Sequence, residues 1–194
     1  MSAPNELLWA LFGLLLTIGG TFLEAFITSP PWDWSAQGVQ TLSLGVTCQI
    51  GAVLLAGCFG GKNAGALSQI AYIFLGLFLP VFDQGGGIGY VRELRFGYIL
   101  AFVPGAWVCG LLAFRLPTRL ESLAFSCLCG LLTIHLYGLT YLIIFHMAFK
   151  WANTGGLTLI EAIMKYSIEP LPGQLVVVCA VSVVAFVLRQ LTFS

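Results

Sequence analysis

Residues 79–95 have the sequence Leu-Pro-Val-Phe-Asp-Gln-Gly-Gly-Gly-Ile-Gly-Tyr-Val-Arg-Glu-Leu-Arg, and this stretch decides how the chain is arranged. It lies between two long apolar runs and holds four glycines within five residues, followed by Arg92 and Arg95. Glycine reaches backbone conformations that other residues avoid and lets the backbone approach a ligand closely. A neighbouring arginine can bind an anionic group. Glycine is also the usual loop residue, so the same stretch is compatible with a simple connector.

The composition is that of a membrane protein. Hydrophobic residues make up 59% of the chain and charged residues 8%, whereas a soluble domain has about 25% charged residues. Eight basic and eight acidic residues cancel, so there is no net field that would attract nucleic acid. We therefore predict an integral membrane protein in contact with lipid and without a nucleic-acid partner.

The apolar residues are grouped in segments long enough for membrane helices, since about 20 residues cross a hydrocarbon core of about 30 Å. They predict one all-α transmembrane domain over residues 1–194 with six helices, at 7–27, 42–60, 64–81, 96–114, 122–145 and 171–191. Pro104 should kink the fourth helix. Thr158 and Glu161 have the spacing of a capping box and predict a short helix at the membrane interface.

The orientation follows from the basic residues. Six helices place both termini on one side, and Lys and Arg divide equally between the two sides. The basic residues on the side of the termini lie in short turns or near a terminus, where the positive-inside bias is strongest. We therefore predict a multi-pass protein of the cell membrane with cytoplasmic termini and an extracellular glycine loop.

Signatures of catalysis and of metal binding are sparse. The chain has no His-Glu-x-x-His and no Gly-x-Ser-x-Gly, so we predict no catalytic residues, no cofactor and no metal. The six cysteines all lie in apolar runs, where we interpret them as small hydrophobic residues. His135 lies within a predicted membrane helix, where it is either functional or hydrogen-bonds to another helix.

Several short motifs resemble one family of vitamin transporters. They are Gln40-Thr41-Leu42, Gly65-Ala66-Leu67-Ser68, Leu77-x-Leu79-Pro80-Val81-Phe82 before the glycine run, Phe96-Gly97-Tyr98-x-Leu100-x-Phe102 and Pro172-Gly173. In this order they resemble the biotin-transporter substrate-binding subunits, the BioY family of energy-coupling-factor vitamin importers. The resemblance covers most of residues 40–115 and recurs near 171–190.

This resemblance implies a six-helix subunit that captures biotin from outside the cell. It also implies, as further partners, a transmembrane coupling subunit and two ATPases that complete transport. Together with the residues of the glycine loop itself, it leads us to predict that biotin binds to Gln40, Thr41, Phe82, Gln84, Gly85, Gly86, Gly87, Gly89, Tyr90, Arg92, Arg95, Tyr98, Tyr137 and Gln174.

Two departures from the family pattern affect these expectations. Family members often have Asp directly after the last Pro-Gly and Lys three residues later, where this chain has Gln174 and Val177. An arginine of the 92/95 pair is therefore our candidate partner for the biotin carboxylate. The family's Ala-x-x-x-Ala coupling motif is replaced by a looser small-residue face of Ala10, Gly13 and Thr17.

Two other functions remain open from the residues alone. The small-residue faces could bind partner helices in an intramembrane assembly protein, with the glycine loop as a connector. The same scaffold could also bind another small vitamin. Ligand-induced thermal stabilisation would distinguish a binding subunit from an assembly protein.

Overall fold

The fold is a helical bundle with a small β-hairpin at one end. The computed structural model describes residues 3–34, 38–83, 85–148 and 158–193. Its helices are α1 (Ala3–Phe22), α2 (Gln49–Phe78), α3 (Phe96–Leu100), α4 (Phe102–Arg115), α5 (Leu120–Ala148), α6 (Leu159–Ile163) and α7 (Leu171–Phe193). The hairpin strands are β1 (Glu24–Thr28) and β2 (Thr41–Thr47).

The predicted helical membrane fold is confirmed, but the count of six is not. Within the described ranges, five helical segments are long and apolar enough to span a membrane: Pro4–Phe22, Gln49–Phe78, Phe96–Arg115, Leu120–Ala148 and Leu159–Thr192. The difference arises in α2, which contains residues 49–60 of the second predicted span and residues 64–78 of the third.

Helix α2 is bent back on itself at Gly61, which has a non-helical backbone with φ 73° and ψ −175°. Nε2 of Gln49 donates a hydrogen bond of 2.8 Å to the hydroxyl of Tyr72, although a straight helix would separate these residues by about 35 Å. Gly57 and Gly65 are in close contact across the bend. The two arms of α2, residues 49–60 and 62–78, are therefore antiparallel. The first arm is only about 18 Å long, too short to span a bilayer alone.

The segment 96–115 has the predicted proline break. Proline lacks an N–H and its ring clashes with the carbonyl four residues earlier. In an unbroken helix, an N–H at position 104 would donate to the carbonyl of Leu100, and α3 ends at Leu100. Helix α4 begins at Phe102, so the segment continues after one residue.

Two segments predicted as helix are strands instead, which corrects the sequence analysis. Residues 24–27 of the first predicted span and 42–47 of the second pair in an antiparallel hairpin, with Phe26 opposite Ser43 and Thr28 opposite Thr41. β-Branched residues such as Ile27, Val46 and Thr47 favour the extended backbone. Hydropathy averages are the same for a strand and a helix, so they did not reveal the hairpin.

The bundle has two ends, which we call the turn end and the loop end. At the turn end lie the start of α1, Gly61, the turn at 115–120 and the end of α7. Contacts join these elements: Nδ2 of Asn63 donates to Glu6 at 3.4 Å, and Arg189 donates to the carbonyl of Ala113 at 2.7 Å. At the loop end lie the hairpin, residues 79–95 and α6.

The small-residue face of α1 packs inside the protein, which corrects its expected role in docking to a coupling subunit. A Cβ at Gly13 would lie 2.8 Å from Ala56 and 2.9 Å from Ser68. Thr17 is fully buried and accepts a hydrogen bond of 3.0 Å from Gln69. Small residues allow two helices to approach closely, and here the partner is α2.

Candidate ligand-binding site

A cavity of about 540 Å³ opens at the loop end between the hairpin, α1, α2, α3, the start of α4, the π-helical turn Met164–Ile168 and α7. This volume is within the usual range for small-molecule sites. Its lining combines aromatic, amide, hydroxyl and charged side chains, among them Tyr90, Tyr98, Phe102, Tyr166, Gln49, Gln174, Thr21, Thr47, Glu24, Asp83 and Arg95. Such a mixture can hold a ligand that has both an apolar ring and polar groups.

The structure brings four of the predicted binding residues together in this cavity: Tyr90, Arg95, Tyr98 and Gln174. They come from two parts of the chain, residues 90–98 and the start of α7. Tyr90 belongs to a short 3-10 turn at Ile88–Arg92, Arg95 and Tyr98 lie at the start of α3, and Gln174 lies in the first turn of α7.

Other predicted residues lie away from the cavity. Gln40 and Thr41 are exposed at the far end of β2, and Tyr137 is 59% exposed on the outer face of α5. Arg92 is exposed at the end of the 3-10 turn. Gln84 lies outside the described residues.

The glycine run gives the loop a defined shape. Phe82 and Gly85 exchange two backbone hydrogen bonds of 2.9 and 3.1 Å, and the N–H of Gly87 donates to the carbonyl of Gly76 at 2.8 Å. Gly85 and Gly87 have φ values of 133° and 92°, which favour glycine. A Cβ at Gly86 would overlap the carbonyl oxygen of Leu79.

Gly86 and Gly87 fasten the loop to the end of α2, Gly85 pairs with Phe82, and a Cβ added at Gly89 would meet open space. None of these four glycines lines the cavity. The loop instead contributes the side chains of Asp83 and Tyr90. The predicted direct contact between glycine backbone and ligand therefore stays a prediction, while the positioning role is visible in the structure.

The buried ring of Phe82 anchors the glycine loop to the bundle. Its ring is 1% exposed and lies 5.3 Å from Tyr72, 4.9 Å from Tyr90 and 6.4 Å from Phe96, measured between ring centroids. Tyr90 donates a hydrogen bond of 3.0 Å to the backbone carbonyl of Asp83. Partial burial raises the pKa of the Tyr90 phenol, so it remains a neutral donor.

Arg95 is the only cation among the described residues that line the cavity. Its Nη1 lies 3.3 Å from Oδ2 of Asp83, and the two side chains are 31% and 50% exposed. Its guanidinium carbon is 5.7 Å from the centroid of the Tyr166 ring. A partly exposed single-contact ion pair contributes at most about 1 kcal/mol. Another carboxylate could therefore replace Asp83 at Arg95 at little cost.

Hydrogen bonds fix the side of the cavity that carries Gln174 and Tyr98. Nε2 of His135 lies 2.7 Å from Oε1 of Gln174. Tyr98 and Ser167 are joined by a hydroxyl-to-hydroxyl hydrogen bond of 2.5 Å. The predicted capping box is confirmed, because Thr158 and Glu161 exchange both bonds at the start of α6. These bonds fix the start of α6, which continues into the π-helical turn Met164–Ile168 that carries Tyr166 and Ser167.

Sequence reasoning missed several cavity residues. Glu24 lies within the first predicted membrane helix, and Tyr166 lies within the predicted interfacial helix. Gln49 lies in the second predicted membrane helix, where it is predicted to face the protein interior but not to bind the ligand. A polar side chain inside an apolar segment was the available signal for Glu24 and Gln49.

Known proteins share this fold and parts of this sequence. The structure resembles the crystal structure of the S-component for biotin from an ECF-type ABC transporter, with a TM-score of 0.71, 18% sequence identity and coverage of 98% of this chain and 95% of that one. At this identity the likeness concerns the fold.

Two relatives are similar in sequence. A 21.2 kDa protein of the psbX-ycf33 intergenic region of Cyanophora paradoxa is 26% identical over 188 residues, which is 95% of each chain. A probable biotin transporter BioY of Lysinibacillus sphaericus is 42% identical over 99 residues, which is 50% of each chain. A model of the BioY family matches residues 6–193. Because this match covers nearly the whole chain, the protein belongs to the BioY family.

Proposed function

We propose that this protein binds biotin in the loop-end cavity and acts as the substrate-binding subunit of a biotin uptake system. Family membership supports the transport role, and the names of two relatives and of the structural neighbour support biotin. The observation that carries the proposal is Arg95, a cation beside aromatic and amide side chains in a cavity of suitable volume.

The cavity offers a partner for each part of biotin. The fused rings are apolar and can pack against Tyr90, Tyr98 and Phe102. The ureido group needs hydrogen-bond donors and acceptors, which the amides of Gln49 and Gln174 supply. The valerate carboxylate needs a cation, and Arg95 is the one that lines the cavity.

Arg95 is a better candidate for the carboxylate than Arg92. Both were predicted, but only Arg95 lines the cavity, whereas Arg92 is exposed at the end of the 3-10 turn. Asp83 is the ion-pair partner of Arg95, at 3.3 Å. We propose that the ligand carboxylate takes the place of Asp83, which leaves Asp83 exposed to solvent.

The pair Arg95→Gln and Arg92→Gln tests this assignment with a matched control. Affinities for biotin and for its methyl ester are measured by calorimetry on the detergent-solubilised protein. The wild type should prefer the acid. Arg95→Gln should bind the acid up to about fivefold more weakly, corresponding to at most about 1 kcal/mol for a partly exposed pair, and lose the preference.

Arg92→Gln should retain both the affinity and the preference. If Arg95→Gln keeps the full preference for the acid, the carboxylate is bound elsewhere. If the wild type binds neither compound, the biotin proposal itself is wrong.

We further propose that the protein lies in the cell membrane with its termini in the cytoplasm and its cavity open to the outside. An uptake subunit must face its substrate before transport. An energy-coupling module with a transmembrane subunit and two ATPases would then drive release, a proposal supported by the ECF-type neighbour. Co-purification of these subunits with the tagged protein from its own membranes tests it.

A further inference from the structure

Three cysteines meet near the turn end of the bundle, away from the ligand cavity. Cys58 lies in the first arm of α2, Cys109 in α4 and Cys127 in α5, and all three are fully buried. The sulphur of Cys58 is 3.6 Å from that of Cys109 and 3.6 Å from that of Cys127. All three Sγ atoms lie within 4.8 Å of one another.

We propose that these three cysteines, the thiol cluster, bind a soft divalent metal ion of the zinc and cadmium class. Zinc–thiolate bonds are about 2.3 Å long, and tetrahedral geometry then separates the sulphurs by about 3.8 Å. The two contacts at Cys58 differ from this separation by only a few tenths of an ångström. Three sulphur ligands leave the fourth position of the metal open.

The charge around the cluster favours a divalent ion. Three thiolates and a divalent ion carry one net negative charge, which needs a counter-charge in an apolar core. Arg189 is 7% exposed and interacts electrostatically with Cys58. Its guanidinium is held by the carbonyl of Ala113 at 2.7 Å and by the ring of Phe114 at 4.5 Å. A monovalent ion would leave a second negative charge uncompensated.

The arrangement differs from that of the other cysteines. Cys48 and Cys129 are half-buried and Cys179 is exposed, and all six are free thiols. From the sequence alone, every cysteine is expected to be a small hydrophobic residue and no metal is predicted. Core packing requires only apolar volume, whereas the cluster places three soft donor atoms from three helices at one point.

A route for the ion lies close by. A cavity of about 290 Å³ at the turn end is lined by Gly60, Gly61 and Gly110, which are near neighbours of Cys58 and Cys109 in the chain. Its charged lining residues are Glu6, Lys62 and Arg115. An ion from the solvent would thus reach the end of the bundle next to the cluster.

Binding exchanges protons for the metal. Three thiols and one divalent ion give one trithiolate complex and three released protons, with no change in oxidation state. Metal affinity should therefore fall as the pH is lowered. The proposal does not depend on biotin binding, since the cluster and the loop-end cavity have no residue in common.

Titration of the purified full-length protein with Cd²⁺ tests the proposal. The protein is kept reduced with a phosphine rather than a thiol. We expect an ultraviolet thiolate-to-cadmium charge-transfer band that saturates at one ion per chain, with release of protons and a higher melting temperature. A large excess of Zn²⁺ should compete for the same site and weaken the cadmium band, since thiolates bind the softer Cd²⁺ more tightly.

Single substitutions locate the site. Cys109→Ala and Cys127→Ala should each abolish the one-to-one saturation, whereas Cys129→Ala, two residues from Cys127 on the same helix, should retain it. Two cluster variants are used so that a folding defect in one does not decide the result. The proposal is overturned if the reduced wild type shows no saturable band, or if the band persists in a folded variant that lacks Cys109 or Cys127.

Discussion

Nε2 of His135 on α5 lies 2.7 Å from Oε1 of Gln174 on α7, and both side chains are more than nine-tenths buried. Because the amide oxygen can only accept a hydrogen bond, Nε2 carries the proton. The amide N–H₂ of Gln174 then remains as a donor on a residue that lines the cavity. This bond resolves the two interpretations of His135: it joins two helices, and it also orients a predicted binding residue.

Replacing His135 should weaken biotin binding through Gln174. His135→Ala removes the donor, leaves Oε1 of Gln174 buried without its partner and frees the amide to rotate. We expect an affinity loss of about five- to thirtyfold, or about 1–2 kcal/mol. Calorimetry with biotin measures it.

Tyr137→Ala, two residues along the same helix, is the matched control because this side chain faces outward. It should bind biotin as the wild type does. His135→Gln, which restores a donor, should recover part of the affinity. Equal affinities in wild type and His135→Ala would show that Gln174 does not need this bond.

Gly86 and Gly89 should respond differently to the same substitution. At Gly86 a Cβ overlaps the Leu79 carbonyl, so Gly86→Ala must move the loop that carries Asp83 and Tyr90. We expect a lower melting temperature and weaker biotin binding. At Gly89 a Cβ meets open space, so Gly89→Ala should leave both unchanged.

These two variants separate positioning from ligand contact. If Gly89→Ala lost affinity at an unchanged melting temperature, the glycine backbone would contact the ligand directly. If Gly86→Ala changed neither property, the loop would be a simple connector.

The bend at Gly61 should tolerate no side chain without strain. A residue other than glycine loses about 1–2 kcal/mol to backbone strain at its φ of 73°. Space does not limit the substitution, because an added Cβ would lie 3.5 Å from the nearest ring atom of Phe114. Gly61→Ala should therefore lower the melting temperature in detergent. Gly19→Ala in α1, where nothing lies within 4 Å of the Cβ, should be neutral or slightly stabilising. A Gly61→Ala protein as stable as Gly19→Ala would contradict the strained bend.

The proposed orientation predicts which residues are reached from outside the cell. In a background without Cys48, Cys129 and Cys179, single cysteines replace Val39 at the loop end and Thr118 at the turn end, both exposed. An impermeant maleimide added to intact cells should label Val39→Cys only. After cell disruption both should react. Labelling of Thr118→Cys alone in intact cells would invert the topology.

Much of the fold followed from local sequence signals. Pro104 predicted the interruption between α3 and α4, and Thr158 with Glu161 predicted the start of α6. Each signal acts on backbone groups within one helical turn of itself, so near neighbours are sufficient to determine the outcome. The hairpin was missed because a strand is stabilised by its pairing partner, and Thr28 pairs with Thr41 across an intervening turn.

The site followed from the sequence only in part. Tyr90, Arg95 and Tyr98 lie close together in the chain and were identified from a short motif. Glu24 and Tyr166 lie far from this motif in sequence, and only packing brings them to the same cavity. Tyr137, which the sequence also suggested, faces outward because the helical period places it on the opposite side of α5 from His135.

The sequence by itself determined that this chain is a helical membrane protein and to which family it belongs. Hydropathy and backbone preference depend on residues near each other in the chain, so the sequence alone is sufficient to determine them. Only the tertiary structure decided that Arg95 rather than Arg92 lines the cavity, that Gln174 is held by His135, and that Cys58 meets Cys127. Cys58 and Cys127 are 69 residues apart in the chain. Contacts over such separations depend on how the helices pack, which no local pattern specifies.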